Sequence, residues 1–401
     1  MTRAPPTVLQ IIPNLETGGA ELSCIEIADA LTRAGARALV LSEGGRMVES
    51  LVAVGAKHIS FPAATKNPLR IYANAGEIAA LIRNEGVDLI HARSRAPAWS
   101  AYLAARQCKI PFVTTYHGAY KETSKFKNFY NSVMVRSDAV IANSHYTADL
   151  IRARYGTPDN KISVIYRGVD LETFDRNAVS ADRVSGLRAS WGVLPTQRIV
   201  LHAARLTAWK GQSQMIDLAA RIKNKLPDVV FILAGSDQGR TGYRAQLEHQ
   251  IAALKVQETV KLVGHVDDIP AACVAAALVF VASNEPEAFG RAAAEAQAIG
   301  CPVVSTNIGA PPETILSPPR VTAAQRTGWL VKPFDLDAYE ASLTEALTME
   351  KTDYAALCAR ASRHARTAFT KTAMQRQTLA VYDGLLGARL AQDFSSAGPL
   401  V

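Results

Sequence analysis

The feature that most constrains this chain is the alternation of short apolar runs, rich in β-branched residues, with longer helical patterns. The alternation runs through the sequence twice. The first series of predicted strands is Thr7–Ile12, Arg37–Leu41, Leu89–Ala92, Phe112–Tyr116, Ala139–Ala142 and Ile162–Tyr166. The second series is Ile199–Ala203, Val229–Ala234, Val260–Val263, Leu278–Ala282, Val303–Ser305 and Gly328–Val331. Strands separated by helices form parallel sheets covered on both faces, so the pattern predicts an α/β fold of two doubly wound, Rossmann-like domains.

The domain boundaries follow from the same pattern. Residues 1–175 are expected to form the first domain and residues 192–370 the second. The segment 176–191 is rich in charge, lacks a clear strand and is interpreted as the linker, while a helical pattern at 371–395 is expected to pack back on the first domain. Ligands of such sheets bind at the carboxyl ends of the strands. Two domains facing each other across a cleft would therefore place the functional residues just after strands.

Composition excludes several classes of protein. The 401 residues are 48% hydrophobic and 20% charged, which is typical of a folded globular chain. A net charge of +8 is modest for this length and argues against nucleic acid as a partner. Five scattered cysteines without metal-ligand spacing favour a reducing, cytoplasmic compartment. The longest uncharged stretch, Ile269–Asn284, is too short to span a bilayer.

Two cations follow the first strand of the second series. Arg205 and Lys210 lie five residues apart in ARLTAWKG, in a loop that leads into a helix. Fixed cations at a helix start suit a diphosphate. Ordinary surface charge on a solvated loop is the alternative interpretation, and these two residues alone do not decide between them.

Two glutamates follow a later buried strand of the same series. Glu287 and Glu295 enclose Phe289 and Gly290 in NEPEAFGRAAAE, where a helix is predicted to begin near Gly290. A loop carboxylate can accept hydrogen bonds from sugar hydroxyls, the helix N-terminus can donate to phosphate, and the second glutamate can bind a ribose diol. By spacing alone, two surface glutamates are the simpler interpretation.

Further candidates lie in the first half of the chain. Gly18 and Gly19, in TGGAE, form a turn that permits close backbone approach to a ligand, although the turn matches no dinucleotide or P-loop motif. His117 ends a predicted strand and is either a cleft residue or a core histidine. In the second half, the pair Asp335 and Asp337 is interpreted as a helix N-cap and first turn rather than as a metal site.

Taken together, these stretches resemble the retaining glycosyltransferases of family four, which have the GT-B fold. The resemblance covers nearly the whole chain. It rests on TGGAE, VIYRGVDLETF, ARLTAWKG, VKLVGHVDDI, NEPEAFGRAAAEAQAIGCPVVSTNIGAPPE and TGWLVKPFD, which occur in the family's order. It implies transfer of a sugar from a UDP- or GDP-linked donor to a glycan or lipid-linked acceptor, with retention of configuration and without a metal or other cofactor.

The resemblance also implies roles for individual residues. Arg205 and Lys210 would neutralise the departing diphosphate, and Glu287 would hold hydroxyls of the donor sugar. Glu295 would hold the ribose, and His117 would line the sugar subsite. The remaining donor-binding candidates are Gly18, Gly19, Gly264, His265, Val266, Ala288, Phe289 and Gly290. The family's front-face mechanism, in which the leaving phosphate helps to deprotonate the acceptor, would require no protein nucleophile.

The sequence departs from the family pattern at two places. Tyr166 and Arg167 stand where Pro-Asn is more usual, which adds a cation, and Ala310 stands where a second glycine is common. Neither change removes a charged residue that the chemistry needs. Each change is expected to shift donor preference.

The segment from His91 to Arg136 carries eight basic residues and only one acidic residue, Glu122. Its KETSKFKNFYNS stretch interleaves lysines with aromatics, which suits an anionic membrane surface or a phosphorylated lipid acceptor; a solvated helix with one buried aromatic side is the alternative. Family members build lipopolysaccharide and other envelope glycans, so an enzyme peripheral to the inner face of the cytoplasmic membrane is expected. Two further alternatives are a nucleotide-sugar epimerase or hydrolase of the same fold and a non-catalytic sugar-nucleotide-binding protein.

Overall fold

The chain divides into two compact units. One unit consists of the residues up to Gly168 together with those from Lys371 onward, and the other consists of Val169–Thr370. The computed structural model describes residues 5–16, 18–118, 120, 124–239 and 241–397. The unit boundary lies earlier in the chain than the boundary expected at residue 175.

A parallel sheet forms the centre of the first unit. Its strands are β1 (Thr7–Ile11), β2 (Arg37–Ser42), β3 (Lys57–Ser60), β4 (Leu89–Ala92), β5 (Phe112–Tyr116), β6 (Ala139–Ala142) and β7 (Ile162–Val164). Their order is β3-β2-β1-β4-β5-β6-β7, and every pair runs parallel. The order changes direction between β1 and β4, which is where such sheets bind ligands.

Helices cover both faces of this sheet. They are α1 (Gly19–Arg33), α2 (Val48–Ala53), α3 (Pro68–Glu85), α4 (Arg95–Cys108), α5 (Lys125–Asn131) and α6 (His145–Tyr155). The C-terminal segment adds α15 (Lys371–Leu386) and α16 (Leu390–Ser396), which follow the helices of the second unit in chain order. Successive side chains of β1 point to opposite faces, so Val8 joins one core and Leu9 the other. Burial on both faces explains why the strands read as continuous apolar runs.

A second parallel sheet forms the other unit. Its strands are β8 (Arg198–Ala203), β9 (Val229–Ala234), β10 (Val260–Gly264), β11 (Ala276–Val281), β12 (Val303–Thr306) and β13 (Gly328–Val331), in the order β10-β9-β8-β11-β12-β13. The helices are α7 (Ala181–Ser190), α8 (Gln212–Ile222), α9 (Thr241–Ala253), α10 (Ile269–Ala275), α11 (Arg291–Ala298), α12 (Pro311–Thr314), α13 (Leu336–Thr348) and α14 (Lys351–Ala368). The change of direction falls between β8 and β11. The prediction of two Rossmann-like parallel-sheet domains is confirmed.

Two elements differ from the sequence-based expectation. Strand β3 was not predicted, because it is a half-exposed edge strand, Lys57–Ser60, without an apolar run. The segment 176–191, expected to be a linker, contains helix α7 and lies within the second unit. Arg183 of this helix donates two hydrogen bonds to the Asp268 carboxylate at 2.8 and 2.7 Å. Charged residues that suggest a solvated linker here form a side-chain contact instead.

The C-terminal helix α15 belongs to the first unit. Met374, Leu379 and Tyr382 are buried in the same core cluster as residues of α1. The Gln375 amide also donates to the carbonyl oxygen of Glu26 at 2.7 Å. Helix α15 therefore closes one face of the first sheet.

Candidate functional site

The loops after β8 and β11 bring the predicted charged residues of the second unit together. These strands are neighbours at the point where the sheet order changes direction. Arg205 and Lys210 follow β8, and Glu287 follows β11. Because the strands are parallel, their carboxyl ends share one edge of the sheet, so residues far apart in sequence meet there.

The centre of this cluster is an ion pair between Lys210 and Glu287. The Lys210 ammonium contacts Glu287 Oε1, and the two side chains are only 18% and 12% exposed. The Ser283 hydroxyl donates to the same oxygen. Lys210 Nζ also lies 4.1 Å from the centroid of the Trp209 ring. Both charges are therefore held in fixed positions with little water around them.

The local charges set the ionisation of Glu287. Burial by itself would raise the pKa of its carboxyl group. The Lys210 ammonium outweighs that effect, with smaller contributions from Ser283 and Arg205, and the pKa lies below its usual value. Glu287 is therefore an anion at neutral pH, suited to accept hydrogen bonds and not to donate a proton.

Close backbone contacts fix the two loops. A Cβ added at Gly211, which has a φ of 82°, would lie 2.0 Å from the carbonyl oxygen of Ala282. A Cβ added at Gly309, with a φ of 90°, would lie 2.3 Å from the carbonyl oxygen of Glu287. The Ala310 N–H donates to that same carbonyl at 2.9 Å. Only glycine fits these two positions without moving the loop that carries Glu287.

Arg205 differs from Lys210 in its surroundings. Its side chain is exposed, and in the described part of the chain it forms no ion pair. Its backbone is fixed, because the buried Gln212 side chain donates to the Arg205 carbonyl oxygen at 2.9 Å. Arg205 is thus a cation on a fixed loop, with a guanidinium group exposed to solvent.

The start of α11 presents the remaining residues of the predicted glutamate motif. Gly290 caps this helix with a φ of 86°. Ala288 and Phe289 are buried, and Phe289 packs edge-on against Phe369 with ring centroids 5.4 Å apart. The Glu295 carboxylate accepts a hydrogen bond from Arg291 Nε at 2.6 Å. The Phe289 ring therefore belongs to the core, and Glu295 is fixed by its neighbour on the helix.

Gly264, His265 and Val266 lie at the end of β10, which β9 separates from β8. His265 Nε2 lies 3.0 Å from the Asp267 carboxylate. His265 and Val266 line a groove of about 760 Å³ beside the edge strand, and neither Lys210 nor Glu287 lines it. The structure thus brings Arg205, Lys210 and Glu287 together, with this loop further along the same edge.

The candidates of the first unit form a separate group. Gly18 and Gly19 lie at the start of α1, and Thr17 of the same turn lies outside the described residues. His117 follows β5, and its Nδ1 accepts a hydrogen bond from Arg167 Nη2 at 2.8 Å. Burial, and then the charges of Arg167 and Arg93, hold the pKa of His117 well below its usual value. His117 is therefore neutral at physiological pH.

The predicted basic surface is narrower than expected. His91 and Arg93 are buried, so neither contacts solvent, and Lys121 and Glu122 lie outside the described residues. The exposed cations of this segment are Arg106, Lys109, Lys125 and Arg136. The Arg136 guanidinium lies 5.3 Å from the centroid of the Phe129 ring, which is on helix α5. The prediction of a basic surface that begins at His91 was too broad, because His91 and Arg93 lie at the end of the central strand β4. A count of basic residues in the sequence does not show that they are buried there.

Sequence reasoning missed Ser283, Gly309 and Gln212, which support the cluster. Ser283 ends the strand pattern LVFVAS, and Gly309 follows the predicted strand Val303–Ser305. Their positions after strands were available as a signal. Their contacts with the carboxylate and backbone of Glu287 were not. Asp335 caps α13 by accepting from the Ala338 N–H at 3.0 Å, as predicted.

Two absences can be stated for the described ranges. No group of three or more His, Cys, Asp or Glu side chains there is placed to hold a metal ion. None of the helices in those ranges combines the length and the apolar character needed to cross a bilayer.

Comparisons with known proteins match both units. Residues 17–173 match the family Glycosyltransferase Family 4, and residues 186–367 match Glycosyl transferases group 1. A solved glycosyltransferase from Rickettsia africae is 31% identical, with a TM-score of 0.86, over 96% of this chain and 100% of that one. HepE from Anabaena, solved in complex with UDP-glucose, is 26% identical, with a TM-score of 0.82, over 94% of this chain and 100% of that one.

A curated relative covers less of the chain. The D-inositol 3-phosphate glycosyltransferase of Jonesia denitrificans is 25% identical over 246 residues, which are 55% of this chain and 56% of that protein. The match thus spans little more than half of that relative's length.

The two parallel-sheet units, with charged residues gathered at the strand ends, define the class of GT-B glycosyltransferases. Within that class, the chain belongs to the glycosyltransferases whose successive halves are Glycosyltransferase Family 4 and Glycosyl transferases group 1. The resemblance inferred from the sequence motifs is confirmed at this level.

Proposed function

We propose that this glycosyltransferase moves a sugar from a nucleotide-diphosphate donor to a glycan or lipid-linked acceptor, with retention of configuration and without a metal ion. The observation that carries the proposal is the fixed cluster of Lys210, Glu287 and Arg205 at the strand ends of the second sheet. It combines two cations with one anion. That combination suits a ligand that has phosphate at one end and hydroxyl groups at the other.

The cations would act on the leaving group. Negative charge grows on the diphosphate as the bond to the sugar breaks, and fixed cations stabilise it without having to reorganise. Lys210 is held by its ion pair and by the Trp209 ring. Arg205 is exposed on a fixed loop and can reach a ligand. Their stabilisation would grow toward the transition state, which is the condition for catalysis.

Glu287 would orient the donor sugar. Lys210 and Ser283 both donate to Oε1, and in the described part of the chain no hydrogen bond reaches Oε2. One oxygen is thus used to fix the carboxylate, which leaves the other to accept from sugar hydroxyls. The lowered pKa of Glu287 keeps the carboxylate in the form that accepts.

The other residues follow from the same arrangement. We propose that Glu295, fixed by Arg291, binds the ribose diol, and that Ala288, Phe289 and Gly290 contribute backbone N–H groups at the start of α11. The loop at Gly264–Val266 is proposed to pass beside the base. From the first unit, Gly18 and Gly19 would approach the diphosphate or the acceptor, and His117 would line the sugar subsite.

The bound ligand of a solved relative supports the choice of donor. HepE was solved with UDP-glucose, and this favours UDP over GDP as the nucleotide. The D-inositol 3-phosphate glycosyltransferases are compatible with a phosphorylated acceptor. A role in lipopolysaccharide or another envelope polysaccharide remains part of the proposal and rests on the family resemblance.

Thermal unfolding with UDP, GDP, ADP, TDP and CMP, each with and without EDTA, tests the donor site. A ligand at about 100 times its dissociation constant adds about 2.7 kcal/mol of stability, which corresponds to a shift of several degrees for domains of this size. We expect a shift with one diphosphate that EDTA does not change. A shift that EDTA abolishes would refute metal independence, and no shift with any nucleotide would refute the donor site.

Variants locate the effect. Lys210→Met should remove the nucleotide-dependent shift and the transfer of sugar, because Lys210 is the proposed diphosphate contact. Glu287→Gln should remove the transfer of sugar, because Glu287 is the proposed contact to the donor sugar. Lys225→Met is a matched control, since it breaks a surface ion pair with Glu340 in the same unit. If Lys210→Met and the control keep equal nucleotide shifts, the proposed site is wrong.

Helix α5 is proposed to contact the anionic inner face of the cytoplasmic membrane. Phe126 and Phe129 are 80% and 57% exposed, next to the exposed cations Lys125 and Arg136. Exposed aromatic rings beside cations suit the interface of an anionic bilayer. Vesicles with and without anionic lipid test this by co-sedimentation: Phe126→Ser should weaken binding to the anionic vesicles, and equal binding of both proteins would contradict the proposal.

A further inference from the structure

A second group of cations lies in the first unit, at the point where its sheet changes direction. Gln10 lies on β1, His91 lies on β4, and Arg93 follows β4 directly. His117 follows β5, and Arg167 follows β7. The group therefore occupies the edge of the first sheet at which ligands of such sheets bind.

Arg93 is a buried cation whose side-chain partners, Gln10 and the Tyr382 hydroxyl, are neutral. Its side chain is 2% exposed, and Nε donates to Gln10 Oε1 at 2.8 Å. Nη2 is buried and has no hydrogen-bond partner. Among the described residues no carboxylate forms an ion pair with Arg93. A buried guanidinium without a counter-charge is costly, so its presence points to a partner that arrives from outside the chain.

His117 supplies a second donor without a partner. A guanidinium can only donate, so the bond from Arg167 Nη2 makes His117 Nδ1 the acceptor. In the neutral ring the proton then lies on Nε2, and this buried atom has no hydrogen-bond partner. His91 differs, because both of its nitrogens are bonded, to Tyr382 and Thr115.

The cluster is positive and rich in donors. Arg93 and Arg167 are both buried, and their charges, together with burial, lower the pKa of His117. The atoms left without partners, Arg93 Nη2 and His117 Nε2–H, are both donors. A ligand that satisfies them must be an acceptor with negative charge. A phosphate ester fits best, because its oxygens accept several bonds and its two charges match two guanidinium groups, whereas a carboxylate carries only one.

We propose that this cluster binds a phosphate group of the acceptor, with Arg93 as its main cation and Arg167 as a further contact. His117, which is also proposed to line the sugar subsite, would donate to the same phosphate through Nε2. The identification of this ligand as the acceptor rests on the proposed glycosyl transfer. It does not rest on the donor site, because the diphosphate of the donor has its own cations, Arg205 and Lys210, in the other unit. Arg167 stands where the family usually has another residue, so this subsite would be a property of this chain and its close relatives.

The first test measures binding of inorganic phosphate to the full chain by calorimetry, with and without saturating UDP. The wild type should bind phosphate in both cases, and more tightly than acetate. Arg93→Gln should weaken phosphate binding about tenfold or more, since a bond to a charged group is lost, and should leave UDP affinity unchanged. Arg93→Lys should retain part of the phosphate affinity. Arg106→Gln, which breaks a surface pair with Asp138, is the matched control.

Stability provides a readout that a purely structural arginine would not give. Removing a buried charge that lacks a counter-charge should leave the melting temperature of Arg93→Gln, without phosphate, equal to or above that of the wild type. A structural role for Arg93 would instead lower it. Phosphate should then raise the melting temperature of the wild type more than that of the variant.

The outcomes separate the two proposals. Phosphate binding that UDP abolishes, or a loss of UDP affinity in Arg93→Gln, would assign the cluster to the donor and overturn the acceptor site. Equal phosphate affinity in Arg93→Gln and the wild type would also overturn it. Failure of the wild type to bind any nucleotide refutes the donor site, while the titration without UDP still decides on the phosphate site. The comparison is repeated with glucose 6-phosphate and with phosphatidic acid vesicles, to show whether binding of a soluble or of a lipid-linked phosphate depends on Arg93. If the wild type and Arg93→Gln bind equally well in both experiments, the proposal is wrong.

Discussion

Replacement of His202 tests whether burial beside the candidate site of the second unit lowers the pKa of this histidine and so makes stability depend on pH. His202 lies on β8, just before the loop that carries Arg205 and Lys210. Its side chain is 2% exposed, and Nδ1 lies 2.7 Å from the carbonyl oxygen of Phe280. Burial lowers the pKa of His202 from 6.5 to about 4. The ring is therefore neutral in the folded protein and donates its Nδ1 proton to that carbonyl.

The size of the effect follows from proton linkage. Below about pH 6.5 the unfolded chain takes up a proton at this histidine, whereas the folded chain does so only below about pH 4. The stability that neutral His202 provides is complete above the unfolded pKa and is lost as the pH falls to the folded one. One pKa unit corresponds to about 1.4 kcal/mol, so acidification from about pH 8 to about pH 5 should cost about 2 kcal/mol at this residue.

Asparagine is a suitable replacement because its amide N–H₂ occupies the position of histidine Nδ1 but does not titrate. His202→Asn should be less stable at about pH 8, because the smaller side chain leaves a cavity. Its free energy of unfolding, measured in urea, should then fall less with acidification than that of the wild type, by about 2 kcal/mol at pH 5. His249→Asn, at an exposed position of the same unit, is the control. Parallel pH profiles for wild type and His202→Asn would refute the reasoning.

Three further outcomes are expected in the second unit. Lys210→Met and Glu287→Gln should each cost about 3 kcal/mol of unfolding free energy, because each leaves a buried charge without its partner, and the double variant should cost less than the sum; additive costs would contradict a direct interaction. Gly309→Ala should lower nucleotide affinity by moving the Glu287 loop, whereas Gly239→Ala, with a similar φ of 77° but open space, should not; calorimetry with UDP compares them. Asp335→Ala should cost about 1 kcal/mol in thermal unfolding through loss of a helix cap, without changing nucleotide binding.

The sequence was sufficient for the class of fold because periodicity is a local property. Runs such as Val229–Ala234 are buried on both faces, and the chain must therefore repeat apolar residues without interruption. Strand β3 was not predicted for the opposite reason: it lies at the edge of the sheet, and its four residues are exposed or only half-buried. Helix α7 was not predicted, because its charged residues suggested a solvated linker. The contact of Arg183 with Asp268 cannot be read from the sequence.

The candidate site was predicted in part. Arg205, Lys210 and Glu287 were identified because charged residues that follow strands in this fold point to a ligand, and the family's motif order assigned them a common site. The supporting contacts were not predictable. Ser283 donating to Glu287, and Gly309 packing against its backbone, join segments whose distance in space depends on the order of the strands.

What the sequence alone determined is the kind of layered architecture, the strand-to-loop positions of the charged residues and the family. Only the tertiary structure decided which charges are paired and which are not. Arg183 and Arg93 are both arginines in stretches rich in basic residues, yet one holds a surface aspartate and the other is buried with an N–H group that no partner accepts. The physical reason is that the free energy of a charge depends on its desolvation and its neighbours. Those are set by strand order and packing, which no local pattern of residues contains.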